Sequence, residues 1–296
     1  MTGTAELRAV AIGTFDGVHA GHRLLLESLR GLARREGLKP AVITFDRHPL
    51  CVVTPERAPG RLTSVDEEQA ILRAEGVEPI VVPFTETTRE LTAASWLRRI
   101  RQDYGVRAIV VGYDNTFGSD GRSLTPADYL RLAGEMGLSA EVAPQLPGVS
   151  SSAVRKLVKG GDVGSAARML GRRYAIEGVV EGGQRLGRRL GFPTANVRTA
   201  ADRLLPGEGV YRAYALLPDG ARRKAMVNIG RRPTVETDGR PTVEVYILDW
   251  SGDLYGKPLR VEFVDRLRDE RKFASLEDLR AALAADAEAA SALPEL

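Results

Sequence analysis

The sequence is poor in cysteine, histidine and aromatic residues: its 296 residues include one Cys, three His and 6% Phe, Trp and Tyr. The single cysteine, Cys51, excludes an internal disulfide framework and favours a reducing compartment. No run approaches the roughly 18 apolar residues of a transmembrane helix. The first residues, MTGTAELRAVAIG, lack the basic segment and apolar run of a secretory signal. We therefore expect a cytoplasmic protein with no membrane partner.

A large excess of either charge is also missing, because 42 Lys and Arg nearly balance 39 Asp and Glu. Arginines nevertheless cluster, as in LRRIR (97–101) and RLGRR (185–189). Such clusters suit phosphorylated small molecules or a solvated surface. They are not interleaved with aromatic residues, so we expect no nucleic-acid partner. The sequence leaves the oligomeric state open, and a homo-oligomer is compatible with it.

The length suggests two domains, at about 150 residues per domain. Up to about residue 145, unbroken apolar runs alternate with amphipathic stretches, which predicts strands covered on both faces by helices. Strands that alternate with helices imply a parallel sheet, whose ligands bind at the carboxyl ends of the strands. We therefore predict an α/β, Rossmann-like first domain. The strand-like runs are LRAVAIG, AVITF, PIVVPF, RAIVVG and SAEVAP.

The pattern changes after Pro147. One or two short helices are predicted in SSSAVRKLVKGGDVGSAARML, broken at Gly160 and Gly161. From Arg173 onward, alternating apolar and polar residues between turn clusters predict an antiparallel β domain of the small-barrel type. A C-terminal helix follows, with Ser275 as its N-cap. The alternating runs are YAIEGVVEG, GVYRAYALL, KAMVNIG, TVEVYILDW and PLRVEFVDRL.

The stretch GTFDGVHAGH (13–22) holds two of the three histidines where the first strand meets the first helix. A helix N-terminus offers unpaired N–H groups and the positive end of the dipole, which suits phosphate. His19 and His22 share one face if the helix begins near Val18, and their N–H groups could stabilise charge on a transferring phosphate. A metal site is the alternative, although two histidines are too few ligands and no Cys/His partner set accompanies them. A turn that merely carries surface histidines is a third interpretation.

GTFDGVHAGH has the HxGH signature of the nucleotidylyltransferase superfamily, and further motifs occur in order along the chain. Together they resemble the bacterial bifunctional riboflavin kinase/FAD synthetase (FMN adenylyltransferase) family. The resemblance implies an FMN adenylyltransferase domain over residues 1–171, then a β-barrel riboflavin kinase domain with its helix over 172–296. The other motifs are TFDRHP (44–49), GYDNTFG (112–118), VSSSAVR (149–155), GFPTANV (191–197), NIGRRPT (228–234), VEVYILD (243–249), DLYG (253–256) and RDERKF (268–273).

In the first domain the resemblance implies that FMN attacks the α-phosphorus of ATP and releases pyrophosphate. His19, His22 and Arg155 then have catalytic roles as contacts to the phosphates. Two alternatives stay open. Asp16 could be a turn or cap residue, and the serines of the SSSAVR segment could form an ordinary helix cap beside a surface arginine. The implied ATP-binding residues are Gly13, Phe15, Asp16, Gly17, His19, His22, Ser151, Ser152 and Arg155.

Flavin binding in the first domain is implied for Asp46, His48, Asp114 and Asn115. Asp46 and His48 follow the second predicted strand, where ligands should bind, but they could equally be structural. At 114–118 the family often has Asp-Phe-Arg-Phe-Gly, whereas this chain has Asp-Asn-Thr-Phe-Gly. Flavin or phosphate contacts would be weaker there. The alternative function is therefore a riboflavin kinase with a weak or inactive adenylyltransferase domain.

In the second domain there is no GxxxxGK[ST] motif, so this is not a P-loop kinase. The resemblance implies that a glycine-rich loop with Gly187 binds the ATP phosphates. Thr194 and Asn196 would bind ATP and Mg²⁺, since their oxygens are hard ligands. Glu244 would be the catalytic base, although a carboxylate on a strand is usually a solvated residue. PTAN by itself could be a proline turn with an Asn cap.

Arg268 and Phe273 are expected to line the flavin end of the kinase site, with the aromatic ring packed against the isoalloxazine. The predicted substrates are thus riboflavin, FMN and ATP, with Mg²⁺ as cofactor. A flavin-binding regulatory protein without turnover is a competing hypothesis. A cytidylyltransferase or a coenzyme A-pathway relative would share HxGH but lack GFPTAN and the barrel.

Overall fold

The structure, a computed structural model, describes residues 6–114, 116–182, 190–231 and 241–295. The chain divides into two compact units, Met1–Ser151 and Ser152–Leu296. Within the described ranges, no helix is long and apolar enough to cross a membrane.

The first unit alternates strands and helices. Its strands are β1 (Arg8–Ile12), β2 (Lys39–Phe45), β3 (Glu78–Val82), β4 (Val106–Val111) and β5 (Ser139–Val142). Its helices are α1 (Ala20–Glu36), α2 (Leu50–Val53), α3 (Val65–Ala74), α4 (Glu86–Glu90), α5 (Ala93–Tyr104) and α6 (Pro126–Glu135), with short 3₁₀ turns at Pro55–Arg57 and Gly121–Ser123. Helix α7 (Ser151–Lys159) begins at the end of this unit.

The five strands form one parallel sheet in the order β3-β2-β1-β4-β5. Apolar residues on its two faces pack into two separate clusters, one under α1 and one under α5 and α6. The strand order reverses between β1 and β4, and ligands of such sheets bind at the carboxyl ends of the strands beside this reversal. The HxGH stretch follows β1 and therefore lies at that edge.

The second unit is a closed barrel with helices. Besides most of α7 it contains α8 (Val163–Leu170) and α9 (Leu276–Ser291). Its strands are β6 (Ala175–Glu181), β7 (Thr194–Thr199), β8 (Gly209–Leu216), β9 (Arg222–Gly230), β10 (Thr242–Ile247) and β11 (Pro258–Arg268). They pair antiparallel in the closed order β10-β7-β6-β11-β8-β9.

Side chains of β10 alternate between the barrel interior and its outer face. Val243, Val245 and Ile247 are buried, whereas Glu244 and Tyr246 are only partly buried. On the outer face, Tyr246 and Met226 of β9 belong to an apolar cluster that α9 covers. The C-terminal helix is therefore held against the outside of the barrel by apolar contact.

The predicted fold class is confirmed: a parallel α/β sheet, then an antiparallel barrel and a C-terminal helix. Ser275 caps α9 as expected, accepting the N–H of Asp278 at 3.0 Å. Two details differ. Strand β7 was not among the predicted strands, and α1 begins at Ala20 because Val18 has a positive φ of 40°.

Candidate active sites

The loop between β1 and α1 has an unusual backbone. Phe15 and Val18 have positive φ angles of 35° and 40°, and Gly17 has a φ of 87°. A positive φ is strained for a bulky or β-branched residue, by about 1–3 kcal/mol each, and persists only where the surroundings enforce it. The side chains of Phe15 and Val18 are buried in the core under α1, which supplies that enforcement. Any contact between Phe15 and ATP would thus involve its backbone.

His19 is the N-cap of α1, and its Nδ1 accepts the backbone N–H of His22 at 3.2 Å. Because Nδ1 is an acceptor, a neutral His19 ring carries its proton on Nε2. The two imidazoles stack, with centroids 3.7 Å apart and an interplanar angle of 14°. Gly21 permits this arrangement, since a Cβ there would lie 3.2 Å from the His19 ring. The structure therefore brings both histidines together at a helix N-terminus.

Asp16 is predicted to contact ATP, and its carboxylate has several partners within the protein. Only 3% of the residue is exposed. The carboxylate accepts the N–H of Leu62 at 2.9 and 3.1 Å, the N–H of Thr63 at 3.0 Å and the Thr63 hydroxyl at 3.1 Å. The Thr63 hydroxyl in turn accepts the N–H of Gly17 at 3.0 Å. This matches the alternative role of Asp16 as a residue that fixes the turn.

A buried polar network extends from this contact. Arg61 donates to the Thr63 carbonyl at 3.0 Å and to the Glu68 carboxylate at 3.1 Å, and Glu68 also accepts the Thr44 hydroxyl at 2.6 Å. Burial raises the pKa of Glu68 to about 8, against the lowering effects of Thr44 and Arg61. We did not predict these residues. Glu68 stands in an ordinary acidic helix start, VDEE, and no local signal separates it from its exposed neighbours.

The predicted flavin residues after β2 lie beside this network. Thr14, Asp16, Phe45, Arg47, His48 and Arg61 line one recess at the carboxyl edge of the sheet. His48 Nδ1 accepts the N–H of Leu50 at 3.1 Å. The nearby Asp46 carboxylate accepts the N–H of Phe84 at 2.9 Å and binds Arg47 at 3.0 Å. Both residues therefore have structural partners at the edge where a ligand is expected.

Partial burial opposes ionisation of Asp46. The Phe84 N–H and the Arg47 guanidinium outweigh that effect and hold the pKa of the carboxyl below its usual range. The carboxylate is consequently charged near neutral pH.

At the end of β4, Asp114 is exposed, whereas Asn115 lies outside the described residues. The following segment is anchored: the Tyr129 hydroxyl accepts the N–H of Phe117 at 2.9 Å and donates to its carbonyl at 2.8 Å. Tyr113, which we did not predict, is 57% exposed. Ala11 of β1 pairs with Val110 of β4. Thr14 and Tyr113 each follow these paired residues by three positions, so both lie at the same edge of the sheet. An exposed aromatic side chain therefore stands at the ligand edge.

In α7, the Ser151 hydroxyl donates to the carbonyl of Asp16 at 2.8 Å. Ser152 is exposed and Arg155 is buried, one helical turn further along in the second unit. Ser151 thus joins the same loop that Asp16 and Thr63 fix, and the roles of Ser152 and Arg155 toward ATP stay predictions.

The predicted kinase residues come together on the barrel. Glu244 of β10 pairs directly with Asn196 of β7 on one side and with Asn228 of β9 on the other. Directly opposed residues of antiparallel strands project on the same face, with Cβ atoms about 4.5–5.5 Å apart. We call Asn196, Glu244 and Asn228 the polar row. Thr194 lies two residues before Asn196, on the same face, and pairs with Tyr246.

Asn228 was missed as a site residue, although it opens the NIGRRPT motif. The alternation of side chains along KAMVNIG places Asn228 on the outer face, where a polar residue is ordinarily in contact with solvent only. Only the pairing of β9 with β10 brings it opposite Glu244.

The donor chemistry around Thr194 fits a magnesium ion. A hydroxyl and an amide oxygen on one face are hard oxygen donors, and Mg²⁺ needs few protein ligands because phosphates and waters complete its shell. Within the described ranges, no group of three or more His, Cys, Asp and Glu residues could hold a metal ion.

Arg268 and Phe273 are also close, with the guanidinium 5.6 Å from the ring centroid. Arg268 is held by the buried Asp286 of α9, with a shortest distance of 2.7 Å. The guanidinium therefore anchors the C-terminal helix as well as facing Phe273. Gly187 lies outside the described residues.

Comparison with known proteins agrees with this geometry. The model of the FAD synthetase family matches residues 3–154, and the model of the riboflavin kinase family matches residues 170–293. The chain belongs to the bifunctional riboflavin kinase/FMN adenylyltransferase family. The predicted family is thereby confirmed.

Relatives of this family resemble the chain along most of its length. A Pseudomonas fluorescens protein named bifunctional riboflavin kinase/FMN adenylyltransferase is 42% identical over 95% of this chain and 91% of its own. An Escherichia coli K12 protein of the same name is 36% identical over 94% and 90%. A crystal structure named macrolide-efflux protein, from Streptococcus pneumoniae, has a TM-score of 0.88 and 30% identity, covering 99% of this chain and 96% of its own.

Proposed function

We propose that this chain phosphorylates riboflavin to FMN and then adenylylates FMN to FAD, consuming ATP in both steps. One observation carries the proposal: the first part of the chain matches the FAD synthetase model and the second part matches the riboflavin kinase model. In each part, residues predicted for the corresponding activity lie close together. The relatives over the full length are named for both activities.

For riboflavin phosphorylation, Glu244 is the proposed base. The ribityl 5′-hydroxyl attacks the γ-phosphorus of ATP, its proton passes to the carboxylate, and ADP leaves. The partly buried position of Glu244 beside the apolar cluster of Phe192, Met226 and Tyr246 supports this role. An apolar surface next to a carboxylate suits a molecule with a large aromatic ring at one end and a hydroxyl at the other.

Thr194 and Asn196 would hold Mg²⁺ for this reaction. When bound, the ion neutralises charge on the ATP phosphates. The residues themselves orient the nucleotide on the same face as Glu244, because alternate residues of a strand project together.

For adenylyl transfer, the FMN phosphate attacks the α-phosphorus of ATP and pyrophosphate leaves. The attacking phosphate needs no base, so positioning and charge stabilisation suffice. The N-terminus of α1 supplies N–H groups and its dipole, and the Nε2 proton of His19 adds a donor. Asp16 acts indirectly in this proposal, by holding the loop through Thr63.

We assign the activities to residues 1–171 and 172–296. The family models support a division in this region, since one ends at residue 154 and the other begins at residue 170. The compact units divide earlier, because α7 and α8 belong with the barrel. A cytoplasmic location rests on the single cysteine and stays a prediction.

The second candidate is a riboflavin kinase with a weak or inactive adenylyltransferase. It is favoured by Asn115 and Thr116, which stand where the family often has Phe and Arg. The deciding experiment incubates the full chain with riboflavin, ATP and Mg²⁺ and separates FMN from FAD. FMN followed by FAD supports the bifunctional enzyme, and FMN alone supports the second candidate. Neither product would refute both.

A further inference from the structure

Two amide side chains flank Glu244 in the polar row, and only one has a role so far. Asn196 is assigned to the nucleotide and its metal ion. Asn228 is the direct partner of Glu244 on the opposite strand and has no assignment. We propose that Asn228 is a positioning residue for the Glu244 carboxylate in riboflavin phosphorylation, an inference that rests on the proposed kinase function.

The location of Asn228 argues against a purely structural role. It is partly buried on the outer face, between the fully buried Val227 and Ile229. Asparagine is depleted in strands, where β-branched and aromatic residues are favoured, and Asn228 is the seventh of the nine residues of β9. Strand stability therefore does not explain this residue.

An amide side chain such as that of Asn228 is chemically suited to orient the Glu244 carboxylate. A carboxylate only accepts hydrogen bonds, and the Cβ spacing of directly opposed residues would allow an amide NH₂ to donate to one carboxylate oxygen. Such a donor would orient the carboxylate and leave its other oxygen for the ribityl proton. A cationic side chain at the same place would instead lower the proton affinity of the base. A neutral donor is thus the appropriate partner for a base.

Other charged groups also face this part of the barrel. Glu181 of β6 pairs with Asn196, and Arg198 of β7 binds Glu181 at 3.1 Å. Lys224 of β9 donates to the Ser291 carbonyl at 2.8 Å, while the Glu270 carboxylate lies against Gly230. On α9, Asp286 is held by Arg268. Among the described groups, Asn228 and Asn196 are the ones paired in register with Glu244.

The test measures kcat and KM for riboflavin, using the full chain and saturating ATP and Mg²⁺. Asn228→Asp keeps the size of the side chain but replaces its NH₂ donor by a carboxylate oxygen, which cannot donate a hydrogen bond to Glu244. We expect kcat to fall at least tenfold in this variant. Asn228→Ala should lower kcat about tenfold with less than a twofold change in KM, as expected for loss of an interaction that matters in the transition state.

Val179→Asp is the matched control. It adds the same charge to the outer face of the barrel on β6, at a side chain that is 46% exposed and outside the polar row. Its kcat and its KM for riboflavin should equal those of the wild type. FAD formation from supplied FMN and the midpoint of thermal unfolding report on folding in every variant.

If the wild-type protein makes FMN and Asn228→Asp has the same kcat as the wild type, this inference alone is overturned. A loss in Asn228→Ala that appears only in KM would also overturn it, since that result indicates a substrate contact. If Asn228→Asp does not fold, Asn228→Gln replaces it: a higher kcat than Asn228→Ala supports positioning, and an equal kcat refutes it. No FMN from the wild type would refute the proposed kinase and this inference together.

Discussion

The Asp16 carboxylate and Thr63 are joined twice, through the backbone N–H at 3.0 Å and the hydroxyl at 3.1 Å. This contact ties the HxGH loop to a segment 47 residues further along the chain. It explains how a loop with strained backbone at Phe15 and Val18 keeps one conformation. The conformation of the loop before α1, where phosphate binding is proposed, is thus set by residues that need not touch phosphate.

Replacing this carboxylate should disable adenylylation without affecting the kinase. Asp16→Asn puts an amide donor against backbone donors, so we expect a loss of about 2 kcal/mol in the stability of the first unit. FAD formation from FMN should fall more than tenfold, while FMN formation from riboflavin is retained. Thr63→Val, which removes only the hydroxyl, should give a smaller loss of both quantities. Thermal unfolding and the two product assays check this, and an Asp16→Asn protein with normal FAD synthesis contradicts it.

His19 combines a cap and a proposed phosphate contact, and the two can be separated. Asn is a good N-cap, so His19→Asn should preserve the start of α1 and shift the unfolding midpoint little. It removes the Nε2 donor, so we expect FAD synthesis to fall by about a hundredfold, the usual cost of one charge-stabilising donor. His19→Ala should lose activity and also about 1 kcal/mol of stability. Normal FAD synthesis in His19→Asn would show that the ring is only a cap.

The sequence was sufficient for those parts of the fold that have a local signal. Unbroken apolar runs located the five parallel strands, and alternation located most of the barrel. Strand β7 was not predicted because TANVRT is short and only partly apolar, and its position is determined by pairing with β6 and β10. The polar network of Arg61 and Glu68 was not predicted either, nor was the pairing of Asn228 with Glu244. Each depends on contacts between distant segments, which no window of sequence displays.

Tyr113 offers an aromatic surface next to the Asn115-Thr116 departure. If it packs on the flavin ring, Tyr113→Ala should raise KM for FMN in adenylylation about three- to tenfold, the range for one aromatic contact. Tyr113→Phe keeps the ring and should resemble the wild type. Tyr255→Ala removes a comparably exposed tyrosine from the other unit, where 46% of the residue is accessible, and should leave KM unchanged. Equal KM values for Tyr113→Ala and wild type would exclude the contact.

The proposed base predicts separable activities. Glu244→Gln should reduce FMN formation by about 10²–10⁴-fold, the usual contribution of a general base, and leave FAD formation from supplied FMN intact. Glu177→Gln makes the same substitution at an exposed position of β6 and should leave both activities unchanged. Loss of both activities in Glu244→Gln, with normal thermal unfolding, would show that the two sites are not independent.

Buried Glu68 predicts a dependence of stability on pH. Burial raises its pKa to about 8, above the value of roughly 4.3 expected in an unfolded chain, so between these values the folded state binds more protons. Its contribution is therefore complete below the unfolded pKa and is lost as pH rises toward 8. Glu68→Gln cannot ionise, so its unfolding midpoint should decline less than that of the wild type between pH 5 and 8. Asp66→Asn removes an exposed carboxylate from the same helix and should follow the wild-type slope. Parallel slopes for Glu68→Gln and wild type would mean that Arg61 keeps Glu68 ionised throughout this range.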